Sequence, residues 1–336
     1  MRTERLRVDP LDPDPAVLAR AGETLRGGGL VAFPTETVYG LGANALDAEA
    51  VARIYAAKGR PDYNPLIVHV AGVEQARRLS SAWPDAAEQA AAAFWPGPLT
   101  LVVPRAPEVP GAVTAGLPSV ALRMPAHPVA LALLRAAGVP VAAPSANRST
   151  EISPSTAEHV AKGLEGRVEI ILDGGPAHVG IESTVLDLSG PRPVILRPGA
   201  ISADDLRPVL GEVEHVSATP ADGEARPSPG MMDRHYAPRG EVRLFVAAER
   251  ERVEEEARRA AEEGRRTGAL LLSGPDLPAL LLARMPDDPA GYAARLYAVL
   301  HEMDDAGAEV IWVERVPAGP AWDGVRDRLR RASTAP

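Results

Sequence analysis

The sequence contains no cysteine. That absence excludes disulfides, thiolate metal sites and cysteine nucleophiles, and makes a cytosolic setting the simpler one. Lysine is nearly missing too: Lys58 and Lys162 are the only two, among 36 basic residues that are otherwise arginine. Aromatic residues make up only 4%, with no basic run interleaved among them, which works against a stacking platform for nucleic acid. No uninterrupted apolar run reaches the roughly 18 residues of a membrane span, and the opening "MRTERLRVDPLDPDPAV" has no apolar core of the kind a signal peptide needs. A soluble, cytoplasmic protein with no membrane partner is therefore expected. Basic excess is lacking as well. The net charge of -9 is shared as -5 before residue 216 and -4 after it, so neither half is a cationic arm, and tight nonspecific nucleic-acid binding through a broad basic face is not expected.

What is present reads as a globular α/β chain whose 336 residues suit two domains. Residues 29–35, "GLVAFPT", form a glycine-led strand that runs into a loop, "ETVYGLGAN"; Asp47 then caps an amphipathic helix ending near Lys58. Strands follow at "LIVHV", "LTLVV", "SVALRM", "VPVAAP", "EIILD", "STVLDLS" and "PVILR", with helices at "AAEQAAAAF", "HPVALALLRAAG" and after Ser202. Their irregular spacing predicts a twisted mixed sheet over residues 1–216. Residues 217–239, "SATPADGEARPSPGMMDRHYAPR", have no sustained periodicity and read as a linker. Residues 240–336 alternate strand and helix, a βαβ-type pattern that predicts a smaller Rossmann-like domain.

Familiar cofactor signatures are missing. There is no G-x-x-x-x-G-K-[ST], the second domain lacks G-x-G-x-x-G after its first strand, and no His and carboxylate spacing matches a zinc signature, so no protein-built metal site is expected. The chemistry has to come from scattered polar residues. In "KGRPDYNPLIVHV", Lys58 to Val70, two accounts compete: basic groups at an exposed helix end with Gly59 as the terminating turn, or side chains converging on a charged ligand. His69, Arg123 and Arg197 admit the same choice between a structural role and a site, as do Ser145 and Asn147 in "APSANRS". Number favours the site. Thr35 with Thr37, Lys58 to Asn64, Arg123, Ser145 with Asn147, and Ser183 with Arg197 bring polar groups to five segments near strand ends, where α/β sheets form ligand crevices.

In order along the chain, "FPTETVYGLGANA", "KGRP" before "NPLIVHV", "WPGPLTLVV", "VALRMPAH", "APSANRS", "GIESTVLDL" and "ILRPGAI" resemble the YrdC-like family of threonylcarbamoyl-AMP synthases. "SPGMMDRHYAP" and the domain after it look like the long, two-domain form. The resemblance implies a nucleotidyltransferase that converts L-threonine, bicarbonate or CO2, and ATP to L-threonylcarbamoyl-AMP and pyrophosphate. A separate tRNA threonylcarbamoyl transferase would use the product to modify the adenosine beside the anticodon, with at most weak direct tRNA binding by this chain. Mg²⁺ would enter on the ATP phosphates. Carried over by motif, Lys58, Arg60, Ser145 and Asn147 are the catalytic hallmark. Thr37, His69, Arg123, Ala143 and Ser183 would surround threonine. Arg60, Asn64, Ser119, Ser145, Ser153 and Arg197 would surround ATP, with Tyr236 of the linker closing over it as part of a lid. Two rival readings are an RNA-binding module and a carbamoyl-phosphate-using enzyme of the hydrogenase-maturation type, whose zinc-finger and acylphosphatase modules this sequence lacks.

Overall fold

The computed structural model describes residues 1–216, 228 and 236–333. An eleven-stranded mixed sheet fills the first part of the chain. From one edge its strands run Glu4–Arg7, Ile170–Asp173, Val31–Phe33, Gly40–Asn44, Val141–Ala142, Ile67–His69, Ser119–Arg123, Leu99–Pro104, Thr184–Asp187, Val194–Arg197 and Glu214–His215. Two pairings place the polar residues. Ile67–His69 runs parallel to Ser119–Arg123 with His69 opposite Arg123, and Thr184–Asp187 runs antiparallel to Val194–Arg197, where the register shifts between Ile195 and Arg197. Residues near those strand ends gather on one side of the sheet's middle, while small apolar side chains such as Ala32, Ala43, Ala142 and Leu122 fill the core behind them.

The expected loop "ETVYGLGAN" is half strand. Gly40–Asn44 pairs antiparallel with Val31–Phe33, and a Cβ on Gly42 would lie 2.8 Å from Val141 Cγ1 and 2.9 Å from Phe33 Cε1. Glycine is needed there for close packing, and its lack of a side chain erased the alternation by which a strand is read. The edge strand Glu4–Arg7, the helix Ala157–Leu164 and the strand Leu281–Arg284 were not legible in the sequence either.

The second sheet orders its strands Glu241–Phe245, Val310–Glu314, Thr267–Leu271 and Leu281–Arg284, all parallel. Thr267–Leu271 and Val310–Glu314 are buried along their whole length, as strands covered on both faces must be. Arg250–Glu262, Pro289–Asp305 and Asp323–Ala332 are the covering helices.

The two sheets belong to one packed body. Val38, Ile152 and Ile181, from loops of the first, share an apolar cluster with Tyr292, Leu296, Tyr297 and Trp322 of the second. Contact reaches the backbone: a Cβ on Gly180 would lie 2.3 Å from Ala293 O, and one on Gly324 would lie 2.6 Å from Gly199 O. Met231, Met232 and His235, which the sequence offers as lid residues, lie outside the described residues. Among the described residues no helix is long and apolar enough to cross a membrane.

Candidate active site

One cavity of about 510 Å³, its mouth included, opens where these loops meet. Among the described residues its walls carry three arginines (Arg60, Arg123 and Arg197), one carboxylate (Glu182), and the hydroxyl residues Thr35, Thr37, Ser145, Ser183 and Tyr236. Each charged group is fixed by a different part of the fold.

Arg60 follows the helix Ala48–Lys58, which ends because Gly59 takes the left-handed conformation, φ 61°. The turn aims the guanidinium inward, where Nε donates to Asn64 O at 3.1 Å and Nη2 to Pro65 O at 2.9 Å. No carboxylate pairs with Arg60 among the described residues, although it is only 8% exposed. Burial lowers its pKa to about 10. A desolvated cation facing a cavity is costly unless an anion is there to meet it.

Arg123 ends the strand Ser119–Arg123 and donates through Nη2 to Glu36 Oε1 at 2.7 Å and through Nε to Gly97 O at 3.3 Å. Burial would raise the Glu36 carboxyl, but the charge and hydrogen bond of Arg123 hold it below the usual range. Beside this pair, His69 has its pKa pushed down to about 3 by burial and by the Arg123 charge. It is therefore a neutral imidazole, and its buried Nδ1 has no hydrogen-bond partner among the described residues. Thr35 Oγ1 donates to Val38 O at 2.6 Å and lies 2.8 Å from Thr37 Oγ1. With that proton committed, Thr37 donates to Thr35 and keeps its lone pairs toward the cavity. Ala143 gives its N–H to Ile67 O at 2.8 Å, which leaves its carbonyl as the backbone group for a ligand. This end of the cavity is a small, polar recess.

Arg197 and Ser183 also line the cavity, in contact with each other. Arg197 Nε and Nη2 lie 3.2 and 3.0 Å from Ser183 O, while Ser183 Oγ lies 2.8 Å from Thr100 Oγ1. Ser145 completes the ring, its hydroxyl donating to Asn147 Oδ1 at 2.6 Å. Tyr236 is 1% exposed and left-handed, φ 62°. Its ring packs 5.9 Å from Tyr297 and beneath the Arg328 guanidinium.

The structure thus brings Thr37, Arg60, His69, Arg123, Ala143, Ser145, Ser183, Arg197 and Tyr236 to one cavity. Lys58 and Asn147 stand directly behind it. Lys58 is 2% exposed, so the picture of an exposed helix-end charge is corrected: its Nζ donates to Ser145 O, Asn147 O and Asn147 Oδ1. Burial and the Arg60 charge press its pKa well below the ordinary lysine value, yet three acceptors around one nitrogen match the three N–H bonds of the ammonium form. Asn64 is buried beside Arg60, and neither polar atom of its side chain has a partner among the described residues. Ser119 and Ser153 are not on the wall. Ser119 begins the strand that Arg123 ends, about 13 Å away at strand rise, and Ser153 donates to Glu182 from behind. Glu36 and Glu182 were overlooked in the sequence. Glu36 sits between two threonines, in "TET", and Glu182 precedes a serine, in "ES"; adjacency to hydroxyl residues was the available signal.

The family described as "Telomere recombination" matches residues 23–199, and "Threonylcarbamoyl-AMP synthase, C-terminal domain" matches residues 201–334. The chain belongs to the threonylcarbamoyl-AMP synthase family. A curated member from Pyrococcus abyssi is 45% identical over 92% of both chains, and one from Bacillus subtilis is 42% identical over 99% of this chain and 98% of its own length. The solved structure of P. abyssi Sua5 complexed with L-threonine superposes with a TM-score of 0.90 at 42% identity, covering 99% of this chain and 98% of that one. The two-domain form of the threonylcarbamoyl-AMP synthases, with its mixed and parallel sheets, is therefore the form of this chain.

Proposed function

We propose that this chain makes L-threonylcarbamoyl-AMP and pyrophosphate from L-threonine, bicarbonate or CO2, and ATP. Family membership supports the product, and the P. abyssi relative solved with L-threonine supports the amino acid. The observation that carries the nucleotide is Arg60: a buried guanidinium, without a carboxylate partner among the described residues, facing the same cavity as the Arg123 recess.

On this reading the recess formed by Thr37, His69, Arg123, Ala143 and Ser183 takes threonine, with Arg123 facing its carboxylate. The threonine amine bonds to CO2 and loses a proton, giving a carbamate. A carbamate oxygen then bonds to the α-phosphorus of ATP as the bond from that phosphorus to pyrophosphate breaks. Negative charge gathers on both sides of phosphorus, and Arg60 and Arg197 offset it from fixed positions. His69, with a pKa of about 3, serves as a hydrogen-bonding wall and stores no proton near neutral pH. Asn64, a buried amide without a side-chain partner among the described residues, belongs on this reading to the nucleotide end, as do Ser119 and Ser153.

Mg²⁺ suits the site only as a passenger on ATP. Glu36 and Glu182 are already engaged by arginines, and among the described residues no group of three or more His, Asp or Glu side chains could hold a metal. Hydroxyls are left, which fit an ion that keeps its waters and its phosphate ligands, and when bound it neutralises the departing pyrophosphate. We assign residues 1–216 to catalysis, 217–239 to a linker and lid with Tyr236 over ATP, and 240–336 to support. The product would pass to a separate tRNA-modifying transferase in the cytoplasm. Pyrophosphate release from ATP, measured with threonine and bicarbonate together and with each omitted, tests the proposal. Release that needs both is expected; release without threonine would reject it.

A further inference from the structure

Glu182 is out of place by charge. It is a carboxylate on the cavity wall, where the reading above seats a polyphosphate. Its surroundings come largely from the other half of the molecule. Ser153 Oγ donates to Oε1, while Oε2 accepts from Tyr297 Oη at 2.9 Å and from Arg328 Nε at 2.7 Å. Arg328 lies in the helix Asp323–Ala332 and is completely buried. The same guanidinium reaches further, with Nη2 donating to Glu182 O at 3.3 Å and Nη1 to Pro198 O at 2.9 Å. Glu182 precedes Ser183 and Pro198 follows Arg197, so one side chain ties together the backbone next to two wall residues. It does so beside the register shift between Ile195 and Arg197, where the ladder constrains the strands least.

We propose that Arg328 is a positioning residue of the active site, cancelling the Glu182 charge and fixing the Ser183 and Arg197 segments so that the nucleotide phosphates can enter. The supporting geometry is specific. Asp327 Oδ2 accepts from Arg328 Nη1 at 2.9 Å, the guanidinium carbon sits 5.2 Å above the Tyr236 ring, and the Gly324–Gly199 contact sets how far the helix can approach. Burial works against the Glu182 charge, and the Arg328 charge keeps the carboxyl below the usual range. Without Arg328 a carboxylate would face the ligand with only hydroxyls and Arg197 around it.

The inference rests on ATP being the cavity's ligand, so the full chain is titrated with Mg-ATP by calorimetry alongside the pyrophosphate assay. Arg328→Met is expected to weaken ATP binding on the order of ten-fold or more, as one unpaired like charge beside the ligand would. Arg328→Met combined with Glu182→Gln should regain most of that loss, which a merely structural arginine would not allow. Unchanged affinity in Arg328→Met, or no recovery in the double variant, overturns the proposal. If Arg328→Met does not fold, Glu182→Gln alone decides. There the Ser153 hydroxyl can turn to accept from the new amide, while the amide oxygen still accepts from Arg328, whose positive charge is no longer cancelled by Glu182; tighter ATP binding supports the proposal, and unchanged or weaker binding overturns it. ATP bound by the native chain without adenylate formation would reject the reaction while leaving Arg328 to be judged on affinity. No ATP binding at all rejects both.

Discussion

Lys58 and Asn147 meet at a single nitrogen: Lys58 Nζ donates to the Asn147 carbonyl and lies 3.2 Å from its Oδ1, while a third bond runs to Ser145 O. The ammonium is the internal partner of a loop that has too few backbone partners of its own. Asn147 Nδ2 in turn donates to Glu151 O at 2.7 Å, so the loop is braced from both ends and the Ser145 hydroxyl is presented to the cavity.

Lys58→Met should therefore cost both stability and activity. It leaves buried carbonyls unsatisfied, an effect of about 3 kcal/mol. That is larger than the roughly 0.3–1 kcal/mol of an exposed helix-end charge. Chemical denaturation beside pyrophosphate release would show the parallel loss; a fully stable but inactive variant would place the ammonium on the ligand instead.

Arg60→Gln should behave differently. Its hydrogen bonds go to the buried carbonyls of Asn64 and Pro65, and among the described residues no carboxylate is abandoned by its removal. We expect ATP affinity to fall by about 1.5–3 kcal/mol with a smaller loss of stability. Calorimetric titration and thermal unfolding of the same sample compare the two.

Arg123→Ala strands Glu36 as a buried carboxylate with one oxygen, Oε2, already lacking a partner among the described residues. Stability should drop by about 3–5 kcal/mol. Glu36→Gln keeps the volume and removes the charge, so it should fold better and raise the KM for threonine more than that for ATP. The opposite ranking would mean that the two subsites have been exchanged.

Melting temperature should fall as pH drops below about 6.5. His69 and His159 have folded pKa values of about 3, from burial first and neighbouring cations or His301 second, and His301 is lowered as well. In that window the unfolded chain takes up protons that the folded chain refuses, so stability is present above the unfolded pKa and is lost on acidification. Further loss is expected below about pH 4.5, where unfolded carboxyls protonate while Glu36, Glu182 and Asp327, held low in the fold, resist. His159→Phe, which keeps a ring against His301, should make the first decline shallower. A melting temperature flat from pH 7 to 5 would refute the histidine contribution.

Removing residues 217–336 should abolish adenylate formation and promote aggregation. The cut takes away Tyr297 and Arg328 and uncovers Val38, Ile152 and Ile181. Light scattering and the pyrophosphate assay on residues 1–216 would test it, and undiminished synthesis would sink it.

Much of the site was legible because its residues are of a chemical type that stands out near apolar strands. Arg60, His69, Arg123, Ser145 and Arg197 could be named from their surroundings before any fold was in hand. The two carboxylates could not. Glu36 and Glu182 gain their meaning from arginines 87 and 146 residues away, and short-range pattern does not reach that far. The strand Gly40–Asn44 was hidden for a related reason: its glycines are required by what presses on them, and what presses on them comes from elsewhere in the chain.

The amino-acid sequence on its own determined the class of fold, the family, and the supply of cations, hydroxyls and amides, because these follow from composition, periodicity and ordered motifs. Only the tertiary structure decided which of those groups face the cavity and which brace it. Lys58 became a brace and Arg60 a wall although they are two residues apart. The physical reason is desolvation: once the packed fold removes water, each charge has to be met by whatever partner the three-dimensional arrangement supplies, and that partner is fixed by topology.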